Sequence, residues 1–171
     1  MGQEELDRLL ALVIERAAAL GIPVSRRICP HVAVNRRART RLGCCRSQSG
    51  RHTIELSAPL LEADEPAVCQ VLAHEVLHTC PGCADHGPAW RHWAALMSAR
   101  YGYRIRRTDS LEALGLPDCR PVRYLVVCRS CGRSIPRMKR SPLVEHPERY
   151  RCKCGGSLYV TTPAAPRDDQ R

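Results

Sequence analysis

Apolar residues fall in two kinds of rhythm along the first two-thirds of the chain. Leu6, Leu9, Leu10, Val13, Ile14, Ala17 and Leu20 recur at spacings of three and four. That is the stripe of an amphipathic helix, which Gly21 and Pro23 bring to an end. From Arg27 the rhythm changes. Ile28, Val32 and Val34 alternate as in a half-buried strand, and Thr53–Leu56 reads as another. Ser57–Leu61 enters a short helical turn, with Pro59 tolerated in its first residues. Asp64 is placed to cap a second helix, with Glu65 in its first turn, running to about His78–Thr79. After Gly87-Pro88 a third helix begins. Trp90, Trp93, Ala94, Met97 and Tyr101 mark its core face and Gly102 its end. Tyr103–Ile105 and a helical piece at Ser110–Leu114 close the first unit.

Inside the second helix lies His74-Glu75-Val76-Leu77-His78, an HExxH pattern flanked by the apolar Val71 and Leu72. Residues four apart stand one above the other on a helix, so His74 and His78 can grip one zinc ion. Glu75 is then placed to act on a water at that ion. A catalytic zinc takes a third protein ligand. His86 is the candidate, because Cys80-Pro81-Gly82-Cys83 ends the helix and lets the chain fold back. Cys80 and Cys83 themselves are open to three readings: packing, a redox pair, or half of a second metal site with Cys44, Cys45 or Cys69.

Beyond Leu116-Pro117 the chain presents Cys128, Cys131, Cys152 and Cys154 in two pairs, each on a strand and turn. Four thiolates close a tetrahedral zinc with no open position, the mark of a structural zinc ribbon. The second pair is a CxC, with only Lys153 between its cysteines. A unit of about 45 residues needs such a staple to fold.

HExxH, a turn, and then His86-Gly87-Pro88-Ala89-Trp90 resemble the SprT-like metalloprotease family, whose eukaryotic relative is Spartan. Asn35-Arg36-Arg37-Ala38-Arg39-Thr40-Arg41-Leu42-Gly43-Cys44 is similar to a second signature of that family, with Leu42 where Trp is common. The spacing is not that of metzincins. No glutamate helix of the gluzincin kind follows, and Glu112 is the one nearby carboxylate available to stand in. The resemblance implies an α+β fold: a zincin-like catalytic domain over residues 1–116 (N-terminal helix, small sheet, HExxH helix, following helix), with sheet strands spanning Asn35–Leu56. A zinc ribbon over 117–161 and a disordered tail over 162–171 complete the expected organisation. It also implies a zinc metalloendopeptidase acting on proteins bound or crosslinked to DNA. One catalytic zinc would sit on His74, His78 and His86, with Glu75 as general base, and one structural zinc on Cys128, Cys131, Cys152 and Cys154. Arg41, His92 and Tyr101 are candidate oxyanion donors, and Thr53–Leu56 is a candidate cleft edge for an extended substrate.

Charge sharpens the choice of partner. The formal charge of the chain is +10, of which Pro117–Thr161 carries +7 and the first 116 residues +3. A basic ribbon suits phosphates, with Tyr124 and Tyr150 available to stack on bases or to pack the small core. The alternative is a non-enzymatic nucleic-acid-binding zinc protein with a structural histidine site, but such a site has no need of Glu75. No apolar run reaches the ~18 residues of a membrane span. The acidic start, Met1 to Glu5, is unlike a signal peptide. With CxxC spacings beside histidines, the eleven cysteines then point to metal binding rather than disulfides. The expectation is a cytoplasmic monomer.

Overall fold

The computed structural model describes residues 1–38, 41–116 and 121–163. It divides into two compact units, Met1–Asp118 and Cys119–Arg171. The expected boundary at Pro117 and most of the expected tail lie outside the described residues. The architecture is mixed α and β, with two small sheets and four helices among the described residues.

Unit 1 is built around α2 (Glu65–Leu77). From Ala67 to Leu77 every residue except Gln70 and His74 is buried, and all of the buried ones except Glu75 are apolar. A helix this apolar belongs in the middle of a core. α1 (Gln3–Ala19) packs against it through the predicted stripe. Leu6, Leu9, Leu10, Val13 and Ala17 are buried, while Ile14 and Leu20 lie half-buried at its margin. On the other side stands a three-stranded sheet of β1 (Ala33–Asn35), β2 (Gly43–Gln48) and β3 (Arg51–Ser57), in the order β1-β3-β2. β2 and β3 form a hairpin across Ser49 and Gly50. Both have positive φ (50° and 72°), as a tight two-residue hairpin turn requires. A 3₁₀ turn, Ala58–Glu62, leads into α2, and α3 (Pro88–Tyr101) ends at Gly102 in the left-handed conformation.

Two expectations about strands need correction. The strand expected from Ile28 through Val34 is only β1, three residues long. Pro30 has no amide to give to a ladder, and Ile28 makes just an isolated parallel bridge to His52. More consequentially, Thr53–Leu56 is not an edge. β3 pairs with β2 over Arg51–Leu56 and with β1 over Glu55–Ser57, so it is the central strand. Among the described residues, the edges of this sheet are β1 and β2.

Unit 2 contains β4 (Tyr124–Cys128), β5 (Ser134–Arg137) and β6 (Leu158–Thr161), antiparallel in the order β5-β4-β6. A four-residue helix, α4 (Pro142–Glu145), and a 3₁₀ turn at Pro147–Arg149 lie between β5 and β6. Its buried core is small: Val126, Cys128 and Leu158, with Ile135, Leu143, Val144 and Val160 packed around them. No described helix is long and apolar enough to cross a membrane.

α2 begins at a side-chain cap, since Asp64 accepts a hydrogen bond from the Ala67 amide at 3.0 Å. Asp64→Ala leaves that amide unpaired and is expected to cost about 1 kcal/mol. Urea unfolding followed by tryptophan fluorescence checks it, because Trp90 and Trp93, the two tryptophans of the chain, both lie in unit 1.

Candidate metal centres

α2 presents His74 and His78 one turn apart on its single polar face, and the chain beyond the helix returns His86 to them. His78 caps the C-terminus of α2, and the Cys80–Cys83 turn follows through Gly82 at φ 71°. The three Nε2 atoms converge. His74 Nε2 lies 3.3 Å from that of His78 and 3.0 Å from that of His86. In a tetrahedron with metal–nitrogen bonds of about 2.0–2.1 Å, two ligand nitrogens stand about 3.3 Å apart.

The far sides of the rings decide what these contacts are. His74 Nδ1 lies 2.8 Å from the carbonyl of Arg106, and His78 Nδ1 lies 2.7 Å from that of Cys83. A carbonyl can only accept, so each Nδ1 carries the proton and each Nε2 is left with a bare lone pair. Two lone pairs facing each other at 3.3 Å repel unless a cation lies between them. Burial, followed by the neighbouring His78 and His86, pushes His74 down to about 4, and burial first also lowers His86. Neutral imidazoles are the form a metal needs. The donor set therefore fits a divalent zinc.

Trp90, from α3, closes the site from behind. Its ring centroid is 4.8, 5.7 and 4.6 Å from those of His74, His78 and His86. It is 2% exposed, and its Nε1 has no hydrogen-bond partner among the described residues. Packing alone holds the indole. Its helical spacing marked it as core, and nothing in the sequence separated it from Trp93, which is only half-buried.

Glu75 packs against Gly43 of β2 and lines the same cleft as His74. It is 7% exposed, and burial pushes its carboxyl up to about 7, although the Cys45 amide donates to it and Arg41 lies near. Space for the carboxylate comes from Gly43. A Cβ there would sit 2.7 Å from Glu75 Oε1 and 2.8 Å from its Cγ. A cleft of about 200 Å³ opens at this point, lined by Arg41, Leu42, Gly43, Val71, His74, Glu75 and the loop Arg107-Thr108-Asp109. Arg41 is held by Glu55, whose two oxygens lie 2.7 Å from Arg41 Nη2 and 2.8 Å from Arg46 Nη2. Asn35 completes the arrangement. Its Nδ2 donates to Glu55 at 2.8 Å while its Oδ1 accepts from the amides of Arg37 and Ala38. Burial works against the Glu55 charge, but Asn35 and the two guanidiniums outweigh it and hold the carboxyl below the usual range.

Other sequence candidates lie elsewhere. Tyr101 donates its hydroxyl to the Arg16 carbonyl, His92 is exposed beside Trp93, and Glu112 is exposed on a 3₁₀ turn; none of the three lines the cleft. Cys80 and Cys83 are both buried, burial pushes the Cys80 thiol up to about 12, and neither belongs to a metal-ligand group among the described residues. The Cys83 carbonyl orients His78.

In unit 2 the four thiols of Cys128, Cys131, Cys152 and Cys154 form the second ligand group. Cys128 Sγ is 3.5 Å from Cys154 Sγ, and Cys131 Sγ is 3.7 Å from Cys152 Sγ. Zinc–sulfur bonds of about 2.3 Å place tetrahedral sulfurs about 3.8 Å apart. The short CxC spacing works because the chain turns at once. Gly155 has φ 86°, and its amide donates to the Cys152 carbonyl. The Cys152 amide in turn donates to the Gly156 carbonyl. A Cβ on Gly156 would lie 2.7 Å from Cys128 Sγ, so only glycine lets the two turns approach this closely. Backbone amides of Cys131 and Ser130 hold the Cys128 thiol down to about 6.

A family model described as SprT-like family matches residues 22–109, just over half of the chain and the part that contains the sheet, α2, His86 and α3. No curated protein sequence matches.

Metal content gives a direct check of both centres. Zinc-loaded protein is expected to hold two equivalents, with His78→Ala and Cys152→Ser each losing one, independently. Removing the first should also change the emission of Trp90, which packs on the histidine rings; removing the second should not. Elemental analysis beside fluorescence reads both.

Proposed function

The chain belongs to the SprT-like family, and on that premise we propose that it is a zinc metalloendopeptidase whose substrates are proteins held on nucleic acid. The observation that carries the reading is Glu75: a buried carboxylate in the wall of an open cleft that His74 of the three-histidine cluster also lines, with a glycine kept opposite it. A site that only stabilised the fold would need neither the cleft nor the carboxylate.

His74, His78 and His86 would hold the zinc, which when bound supplies Lewis acidity to a water molecule and to the scissile carbonyl. Glu75 accepts the proton that the attacking water loses and delivers it to the leaving amine. Its raised affinity for protons suits both halves of that task, because a base that titrates near neutrality also serves as an acid. The Arg106 and Cys83 carbonyls keep the two helix imidazoles in register throughout. Arg41, lining the cleft and held by Glu55, is the donor available to a developing oxyanion. An extended substrate finds its pairing edge on β2, at the Arg41–Gly43 end, rather than on β3.

Unit 2 fits a structural zinc ribbon whose basic surface contacts nucleic acid. Tyr150 is 40% exposed, in contrast to the half-buried Tyr124, and is flanked in sequence by Arg149, Arg151 and Lys153. A tyrosine in that setting can stack on an unpaired base.

Cleavage of a DNA-bound basic protein, with and without DNA, tests the reading. Glu75→Gln is expected to retain zinc and lower the rate by about 10²–10⁴-fold. Gly43→Ala should also keep its zinc and cut the rate by at least about tenfold, since its methyl group displaces the Glu75 carboxylate. Equal cleavage by Glu75→Gln and the unsubstituted protein would rule the mechanism out.

A further inference from the structure

Unit 1 carries a basic surface that the hydrolytic site does not use. Between Glu15 and Glu55 the chain has nine arginines and no carboxylate at all. Part of that stretch is folded into a groove of about 530 Å³ whose lining includes Arg26, Arg27, Cys29, Arg51 and His52. The groove is a built feature. The His52 amide donates to the Arg27 carbonyl at 2.9 Å and the Cys29 amide to the His52 carbonyl at 2.7 Å, so residues 27–29 run beside the start of β3. Gly50 admits the Arg27 side chain across the hairpin turn, since a Cβ there would lie 2.9 Å from Arg27 Nη1.

Arg26, Arg27 and Arg51 are all exposed or half-exposed at the groove, and none makes a salt bridge among the described residues. Among the described residues, no carboxylate lines the groove. The next acid along β3, Glu55, is already shared by Arg41 and Arg46. Like charges gathered in one groove repel, and an anion that meets several of them at once relieves the repulsion. Guanidinium forks match phosphate oxygens in pairs. A membrane surface fits less well, because unit 1 has no exposed large hydrophobic residue among those described to insert; Val122 and Tyr150, the two that are exposed, lie in unit 2.

We propose that the Arg26–Arg27–Arg51 groove binds the phosphodiester backbone of nucleic acid, at a place separate from the basic surface of unit 2. It requires neither hydrolysis nor the ribbon, and its test reads binding alone. The zinc-loaded full chain is titrated against a short fluorescent duplex at several salt concentrations. Three triple variants are compared with the unsubstituted protein: Arg26→Gln/Arg27→Gln/Arg51→Gln in the groove, Arg149→Gln/Arg151→Gln/Lys153→Gln in unit 2, and Arg91→Gln/Arg100→Gln/Arg104→Gln elsewhere on unit 1. Each phosphate that the protein no longer neutralises lowers the slope of log affinity against log salt by about 0.9. The slope of the groove variant is therefore expected to be shallower by about 2–3, and its binding at least about tenfold weaker, with the elsewhere variant changed less than about twofold. A groove variant that behaves like the elsewhere variant overturns the proposal, as does weakening confined to the unit 2 variant. Competition by polyglutamate as strong as that by unlabelled duplex of equal charge would assign the groove to acidic peptides and overturn it too.

Discussion

Much of unit 1 follows from having to hold three imidazole nitrogens against one another. Two of them come from one helix, four residues apart, and that helix is buried on nearly every other side. Burial gives α2 a fixed position but leaves its polar face hard to satisfy. Two backbone carbonyls from loops outside the helix, Arg106 and Cys83, take the Nδ1 protons and so fix which nitrogen faces inward. Trp90 then covers the back of the cluster without competing for its lone pairs, since its indole N–H, the one group that could donate to them, bonds to none of the described residues. The repulsion left at the centre is what a divalent cation would remove, so metal binding and the closing of this part of the core are coupled.

The same helix carries Glu75, and there the constraint is steric. A carboxylate in a core is tolerable only if something makes room and something donates to it. Gly43 does the first and the Cys45 amide the second, both from β2. β2 is in turn kept in register by β3, whose Glu55 ties Arg41 and Arg46 of the β2 side to Asn35 of β1. Ion pairs of this half-exposed kind contribute little stability. Their effect is positional: they hold the strand that shapes the cleft.

The parts of this arrangement that obey a local period are legible in the sequence. The stripe of α1, the capped start of α2 and the i, i+4 histidines depend on residues a few positions apart, and the α+β architecture follows from their order. What depends on pairing between distant segments is not legible. Whether Thr53–Leu56 or Gly43–Gln48 is the edge strand rests on which neighbour β3 acquires, and the alternation of apolar residues is the same either way. Trp90 and Trp93 share a helix face in the pattern, yet only Trp90 packs on the histidines. Gly43 and Gly156 matter for the side chain that each must not have, and an absent Cβ leaves no mark in a hydropathy pattern. The CxC pair, irregular as a spacing, becomes regular once Gly155 and Gly156 turn the chain beside its sulfurs.

β2 joins the two surfaces of unit 1 that the proposals concern. Its first residue faces Glu75 at the cleft, and its last leads into the turn over which Arg27 lies. Six residues of extended chain span about 20 Å. Phosphates resting on the Arg26–Arg27–Arg51 groove would thus lie about one strand length from the cleft, comparable to the radius of a small domain. A protein attached to that nucleic acid would be held where a loose segment of it can reach β2, whereas a free protein would have to find the cleft by diffusion alone. Such tethering raises the effective concentration of a substrate while adding no new interaction with it. On these proposals the groove arginines would select where the chain acts, and the cleft would be free to be unselective about sequence.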